Sequence, residues 1–503
     1  MAESNSQGWF PRPLEGHYGI SLAVAIVALA PFIVISTAYV MFAKQVQADL
    51  GMDQLATELI AGFSISGYAF GAFTGGDLIQ RFRQRHLFLI AEALFVAGCA
   101  ISAGAHGAVV FGLGRILAGF ATGLLLVIAL PPVIQRFPAD KLRMTMAWVD
   151  LGFFGAVCAG PLLGGAVAAH HAWRWFFVGL GVIGLLNLAT AALAEPLYNP
   201  PNPGLKFDRV GIALGFGAVV LPFWATGELA AHGFASILFT LPLALGCACF
   251  VALMLVEYHQ EEPLSPVKLM WTTIAVIGTL VAMIAGAVFV SFLELAEQLH
   301  LQALHHPPLA TGVLFSPMIL GACITAVLLG LLLRTRFLPI LVLAGFVCLV
   351  GGGLLVLGFG ADASSILTMS AAGLLGLGAG ATVSPGLVIA AFTVASKMVG
   401  RVFALVELVR SLADYIIAPI IMKAARVHSL RPPLDWPGVH HATLVTLWIT
   451  VGFTIFAVLL WIGGGAGLPK PDIRAWIEQK QPAYASPKLL ARFRAASNQP
   501  AGR

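Results

Sequence analysis

Three charged residues punctuate the otherwise apolar run VFALVELVRSLADYIIAPIIM: Glu407, Arg410 and Asp414. Spacings of three and four residues place all three on one stripe of a helix. Inside a lipid bilayer each such group costs about 2.5–3.5 kcal/mol on insertion scales, and by default it marks an ion path or a proton relay. One guanidinium cannot cancel two carboxylates fully, which leaves one acid able to take up and release a proton. The same trio also reads as inert packing in which Arg410 neutralises both acids along the helix. Asp150 is a further acid, about two turns into an apolar segment, and Arg115 and Arg410 are the only Lys or Arg left within the membrane, away from the segment ends.

The chain that must position these groups is 503 residues long, 59% apolar and only 10% charged, with a mean hydropathy of +0.91. Water-soluble domains carry about 25% charged residues, so a soluble enzyme is excluded, and so is disorder, whose signature is the opposite. A β-barrel alternates apolar and polar residues, whereas LAVAIVALAPFIVIS and LLGLGAGATVSPGLVIAA are apolar on every side. An all-α polytopic membrane protein remains. No basic stretch followed by an apolar run and a cleavage site opens the chain, so the first apolar segment is expected to stay in the mature protein.

Each crossing needs about 20 apolar residues, and fourteen segments qualify. They lie at about 19–43, 57–79, 87–104, 108–134, 144–169, 173–194, 209–227, 235–256, 272–293, 309–333, 337–359, 364–391, 398–422 and 441–463. With the N-terminus inside, the inner connections and tail hold twenty-one Lys and Arg, among them Arg12, Arg81, Arg83, Arg85 and Lys206. The outer connections hold five: Lys44, Arg174, Lys423, Arg426 and Arg431. Positive residues stay inside, so both termini are expected in the cytoplasm.

Sliding the first six segments forward by 254 residues lays the first on the ninth, the second on the tenth and the fifth on the thirteenth. GGDLIQRFR then overlies GLLLRTR, and Asp150 maps to position 404, within a turn of Glu407. The expected division is a six-helix bundle at 1–194, a linker with two inserted helices at 195–271, a second six-helix bundle at 272–466 and a basic cytoplasmic tail at 467–503. Repeated halves place a substrate site at their interface near mid-membrane and suggest alternating access.

These features resemble the major facilitator superfamily, and within it the fourteen-span drug:proton antiporter branch of the EmrB/QacA type. The resemblance covers nearly the whole chain. Its strongest element is GPLLGG, with Gly160, Pro161, Gly164 and Gly165, followed by WRWFF from Trp173 to Phe177. RFPADKLR, Pro263 with Leu264, and PLATGVLFSP follow in the expected order. The glycines permit a kink and close helix packing, which the family is thought to use to seal one side and favour exchange over leak; the same residues also read as plain packing. Ala156 stands where the family has an earlier glycine.

The family's cytoplasmic loop motif is matched at Gly76, Leu78, Arg81 and Arg85, with Gln80 in place of Asp and Arg83 in place of Gly. That leaves Arg81 and Arg85 to pair with Asp140 as a cytoplasmic gate, or simply to set topology. Arg115, in LGRILAGFATG, resembles the family's arginine of the fourth span, with Ala118 for the usual Gln. Its implied role is to approach Asp150 or Asp414 and bias proton release; otherwise it merely satisfies one acid. The acid that such exporters usually carry in the first span is missing from PFIVISTAYVMF, which favours a neutral or anionic amphipathic substrate over a cation.

Other signals are assigned plainer roles. Gly376, Gly378 and Gly380 in GLGAGA lack the strand that a dinucleotide loop requires and are read as helix packing. No Walker sequence is present, so ATP is not the expected energy source, and nucleic acid is not an expected partner. Cys99, Cys158, Cys247, Cys249, Cys323 and Cys348 fall in apolar runs and are read as small core residues, not metal ligands. Ten of the thirteen histidines lie in outer connections and read as solvated. The tail's Leu489, Leu490 and Phe493 could rest on anionic lipid or be disordered.

The resulting expectation is a secondary active transporter, not an enzyme, without cofactor, metal or catalytic residues. It exports a small amphipathic compound by proton exchange across a bacterial cytoplasmic (inner) membrane, with Glu407, Asp414 and Asp150 for proton coupling and Arg410 and Arg115 as cavity arginines. Periplasmic adaptor proteins are a further partner class that the resemblance implies. A metabolite facilitator or importer, and a transport-inactive sensor or scaffold, are the alternatives.

Overall fold

The computed structural model of the chain describes residues 13–491 apart from 198, 201, 205–207, 261–262, 361–362, 469 and 490. Arg12, Lys206, Leu490 and Phe493, which entered the sequence reading, lie outside the described residues. Long stretches that are apolar on every side become helices, because a helix satisfies its own backbone groups without water. Fourteen helices of twenty residues or more form among the described residues: α1 (Tyr18–Leu50), α2 (Gln54–Arg81), α3 (Gln84–Ala103), α4 (Ala108–Arg136), α5 (Leu142–Ala169), α6 (Trp173–Ala194) and α7 (Arg209–His232). They continue with α8 (Ile237–His259), α9 (Thr273–Gln298), α10 (Pro308–Leu332, interrupted at Ser316), α11 (Leu338–Leu357), α12 (Ser365–Ala391), α13 (Val399–Val427) and α14 (Trp436–Gly464).

Polar caps set several boundaries. Gly51 ends α1 in the left-handed region at φ 60°, and the Asp53 carboxylate then accepts from the Ala56 N–H at 2.7 Å to start α2. Asp208, Ser236, Ser364 and Asp435 cap α7, α8, α12 and α14 in the same way.

Twelve of the fourteen are long and apolar enough to cross a membrane by length and composition alone; α2 and α13 are not. Both are as long as their neighbours, 28 and 29 residues, and both are enclosed, α2 by α4, α7 and α13, and α13 by α2, α7, α9 and α14. Both carry buried charges, Asp77 on α2 and Glu407 and Asp414 on α13, which are costly at bilayer depth.

The packing repeats. In the first half α1 packs on α4, α5 and α6, α2 on α4, and α3 on α4 and α6. In the second half α9 packs on α12, α13 and α14, α10 on α12, and α11 on α12 and α14, the same pairs eight helices later. The halves meet along two equivalent seams, α5 with α10 and α13 with α2. The inserted pair packs on itself and sends α7 against α2 and α13, which covers one seam only. Because α8 leans mainly on α7, its far side is bare, and Cys247 there is exposed and not a core residue; Cys99 and Cys158 are buried as expected.

The tail is folded where its residues are described. Trp476 donates through Nε1 to the Val394 carbonyl at 2.9 Å and packs on Phe392 with ring centroids 4.8 Å apart. The first free N–H groups of α9, at Thr273 and Ile274, donate to Pro487 O at 2.9 Å and Ser486 Oγ at 3.0 Å, which satisfies a helix start that would otherwise be bare. The single-turn helix Ile473–Glu478 also touches the turn Ala139–Lys141 of the first half. Tyr18, at the start of α1, packs on Phe137 and bonds Thr145 on this same face. It is called the termini face below.

Candidate functional site

A cavity of about 290 Å³ lies between the halves. It is lined by α1, α2, α4 and α5 from one half and by α9 and α13 from the other, with Thr226 and Gly227 of α7 at its edge. Its lining includes Glu58 near the start of α2, Gln298 at the end of α9 and Arg426 in the last turn of α13, all toward the face opposite the termini. On the termini face the halves are joined. Gln135 donates to the Ser396 carbonyl at 2.7 Å, and Gly76 of α2 approaches Ala404 of α13. The cavity therefore extends toward the face opposite the termini, while the halves are joined on the termini face.

The stripe on α13 is assembled as its spacing predicts. Arg410 donates through Nε to Glu407 Oε2 at 3.1 Å, and its terminal nitrogens bond Glu407 Oε1 and Asp414 Oδ2. Glu407 and Asp414 are 4% and 1% exposed. Arg410 and Asp414 line the cavity, while Glu407 sits behind them beside Tyr68 of α2. Asp414 Oδ1 has no hydrogen-bond partner. The two acids are thus unequal: Glu407 is gripped at both oxygens, and Asp414 at one.

Asp150 is fully buried, both its oxygens lack a hydrogen-bond partner, and Ser384 of α12 is its polar neighbour. It lies at the seam with the second half, away from the cavity wall. Arg115 does not meet Asp150 or Asp414, contrary to expectation. It lies two turns from the start of α4, and Asp150 two turns from the start of α5, and these helices start on opposite faces, so depth separates them. The guanidinium instead stands 5.2 Å from the Tyr39 ring centre, 6.0 Å from Phe32 and 5.9 Å from Phe177. Its Nε and Nη1 have no hydrogen-bond partner.

The expected gate pairs are also rearranged. Arg81 bonds Asp77, one turn back on its own helix, at 2.8 Å, and Arg85 donates to the Ala192 and Glu195 carbonyls. Asp140 pairs with Arg334 at 3.1 Å, and Arg334 also donates to the Ala139 carbonyl. The contact between halves thus exists, but from the second half. Arg334 is the residue that the 254-residue repeat lays on Gln80, so the arginine that pairs with Asp140 stands at the repeat equivalent of the position where the first half lacks its acid.

GPLLGG forms a joint whose parts depend on one another. Pro161 lacks an N–H, which frees the carbonyl of Val157 four residues back. Thr37 of α1 fills the gap, donating through Oγ1 to Val157 O at 3.0 Å. It reaches that far because Gly160 is bare; a methyl there would collide with the Thr37 hydroxyl. Gly165 packs on Pro308 and Leu309 of α10, and Gly312 of α10 packs back on Pro161 and Leu162, so one motif binds α5 to its own half and to the other.

Glu294, Glu297, Tyr39, Tyr68 and Tyr415 also line the site or stand against it and were missed by the sequence reading. The ninth apolar segment ends at about 293 by its hydropathy, whereas the helix runs to Gln298 and on through a wider turn to Ala303. Glu294 and Glu297 were therefore counted outside it. The tyrosines carry no charge and gave no signal.

With this geometry in place, comparison with known proteins settles the lineage. The model of the Major Facilitator Superfamily matches residues 20–418. The chain belongs to that superfamily. It is 26% identical over 349 residues to the "Multidrug resistance protein B homolog" of Mycobacterium tuberculosis (strain H37Rv), covering 68% of this chain and 63% of the relative. It is 27% identical over 393 residues to the "Tetracenomycin C resistance and export protein" of Streptomyces glaucescens, covering 74% and 65%. The chain thus spans slightly less than two thirds of the length of the curated relatives it matches. The solved structure of the proton:xylose symporter XylE superposes with a TM-score of 0.61 at 14% identity, covering 92% of this chain and 98% of that one, a likeness of fold.

Proposed function

We propose that the chain is a secondary active transporter that exports a small amphipathic compound in exchange for protons across a bacterial cytoplasmic membrane, by alternating access. The observation that carries this is the Glu407–Arg410–Asp414 trio, buried on the wall of a cavity between two repeated halves. A proton reaching Asp414 through the cavity releases Arg410 to Glu407 alone, and the freed helix contact is what the change of access would use. Asp150, the repeat mate on α5, is a second proton-carrying position at the seam that must slide.

In this reading all fourteen long helices cross the bilayer, with bundles at 1–194 and 272–466, an inserted pair within 195–271 and the tail at 467–503. The excess of Lys and Arg on the termini face supports placing it in the cytoplasm, so the cavity described above is outward-facing. Asp140 with Arg334 at one seam, and Gly76, Arg81 and Arg85 toward the other, form the closed cytoplasmic gate, and Gly160, Pro161, Gly164 and Gly165 hold the outer seam. The relatives named for multidrug resistance and for tetracenomycin C resistance and export support the direction of transport.

The test uses everted vesicles acidified by respiration and probed with naphthoate, naphthamide or naphthylmethylammonium. Proton release on adding one of them supports exchange. Uptake that survives collapse of the proton gradient identifies a facilitator, and no movement of any probe overturns the transporter reading for this substrate class.

A further inference from the structure

One cation in the cavity is left without a counter-ion. Arg410 is answered by two carboxylates, and Arg426 lies 3.7 Å from Glu58. Arg115 is 2% exposed, lines the same cavity, and has neither an ion pair nor a side-chain hydrogen bond to another described residue, with Nε and Nη1 unpartnered. The titratable groups that act on its charge are Tyr39, Tyr415 and Cys99, none of them a carboxylate. Buried charges in proteins are paired or hydrogen-bonded, and one that is not needs a reason.

We propose that Arg115 is the receptor for the anionic group of the transported compound, and that the compound is a planar aromatic carboxylate or a chemically similar aromatic anion. This rests on the reading of the chain as a transporter and names the substrate class of its site. The aromatic part of the assignment comes from the walls. Phe32 and Tyr39 stand against the guanidinium on one side, and Phe289 and Tyr415 line the cavity from the second half. Ring faces hold a planar apolar body, while the guanidinium presents donors in a fork that matches a carboxylate. At about 290 Å³ the space suits a compound of two fused rings and not a large one.

The arrangement also separates two charges. The anion sits at Arg115 of the first half, and the proton sits across the cavity at the free oxygen of Asp414 in the second. Glu294 and Glu297 line the end of the cavity opposite the termini face. The rival occupant is an amphipathic cation drawn to those same two acids, and it is an outcome of the test.

The test is calorimetric titration of the purified full chain in lipid nanodiscs with naphthoate, naphthamide and naphthylmethylammonium. The expected result is naphthoate binding about tenfold or more tighter than naphthamide, the margin of a charge-assisted over a neutral hydrogen bond. Arg115→Gln should remove that preference while naphthamide binding persists, and Arg115→Lys should keep part of it. Equal binding of the anion and the amide, tighter binding of the ammonium, binding of none, or a preference surviving Arg115→Gln each overturns the proposal. If Arg115→Gln does not fold, the three-probe comparison on the unaltered protein still decides. Binding requires no proton gradient, so this result is separate from proton release in vesicles: exchange without anion preference sinks only the substrate class, and anion binding without proton release sinks only the coupling.

Discussion

Asp414→Asn separates charge from shape at the one acid of the trio that both lines the cavity and keeps an oxygen free. The amide oxygen of the Asn can still accept from Arg410, whose remaining bonds to Glu407 are untouched. The change replaces a hydrogen bond to a charged group, about 1.5–3 kcal/mol, by a neutral one of about 0.5–1.5, a loss of about 1 kcal/mol. Arg410→Ala is different in kind, because it strands two acids of 4% and 1% exposure without a cation, at about 3–5 kcal/mol. Asp414→Asn should therefore express, melt within a few degrees of the unaltered protein and still bind naphthoate, yet release no protons when that probe is added to acidified everted vesicles. Glu407→Gln, which weakens the doubly held side of Arg410, should lose more stability than Asp414→Asn. Proton release at the unaltered level in Asp414→Asn would refute the reasoning and move the coupling role to Asp150.

Three further outcomes follow from the geometry. Thr37→Val should destabilise by about 1–3 kcal/mol by leaving the Val157 carbonyl unanswered, but by clearly less in a Pro161→Ala background, where the restored N–H answers it; additive melting shifts would contradict the joint. Arg334→Ala should lower the closed fraction on the termini face by no more than about fivefold, since Asp140 is 73% exposed and such pairs contribute only about 0–1 kcal/mol; double electron–electron resonance distances across that face measure it. For Asp435, burial opposes its charge, but the N–H groups of Gly438 and Arg431, the Ser429 side chain and the Leu430 N–H outweigh it and hold its pKa below the ordinary value. Its contribution is thus present above the ordinary carboxylate range and lost as pH falls through the lowered value, so Asp435→Asn should speed amide exchange at Leu430 and Arg431 near neutrality and make no difference in strong acid.

Helix number and order were legible because apolar runs of the right length, punctuated by Lys and Arg, leave few other solutions in a bilayer. The Glu407–Arg410–Asp414 stripe was legible for a similar reason: spacing on a helix fixes which side chains share a face. Partners across helices were not. Arg81, Arg85 and Asp140 are close to one another in the order of the loops, yet Asp77 sits one turn from Arg81 and Arg334 reaches Asp140 from the other half. Arg115 was misplaced because depth along α4 and α5 runs in opposite directions. Thr37 carries no charge and no motif, so its service to Val157 emerges only when α1 and α5 are brought together.

Central to the account is that protonation at the trio changes which side is open, and this can be measured without any substrate. On a cysteine-free background, spin-label pairs are placed at Phe82 and Phe337 of the termini face and at Gln54 and Val427 of the opposite face. Distances in nanodiscs are then followed by double electron–electron resonance as pH is lowered through neutrality. The account predicts reciprocal shifts at the two faces in the unaltered protein, one closing as the other opens, and none in Asp414→Asn. A pH response of the same size in Asp414→Asn, or no response in the unaltered protein, would contradict it.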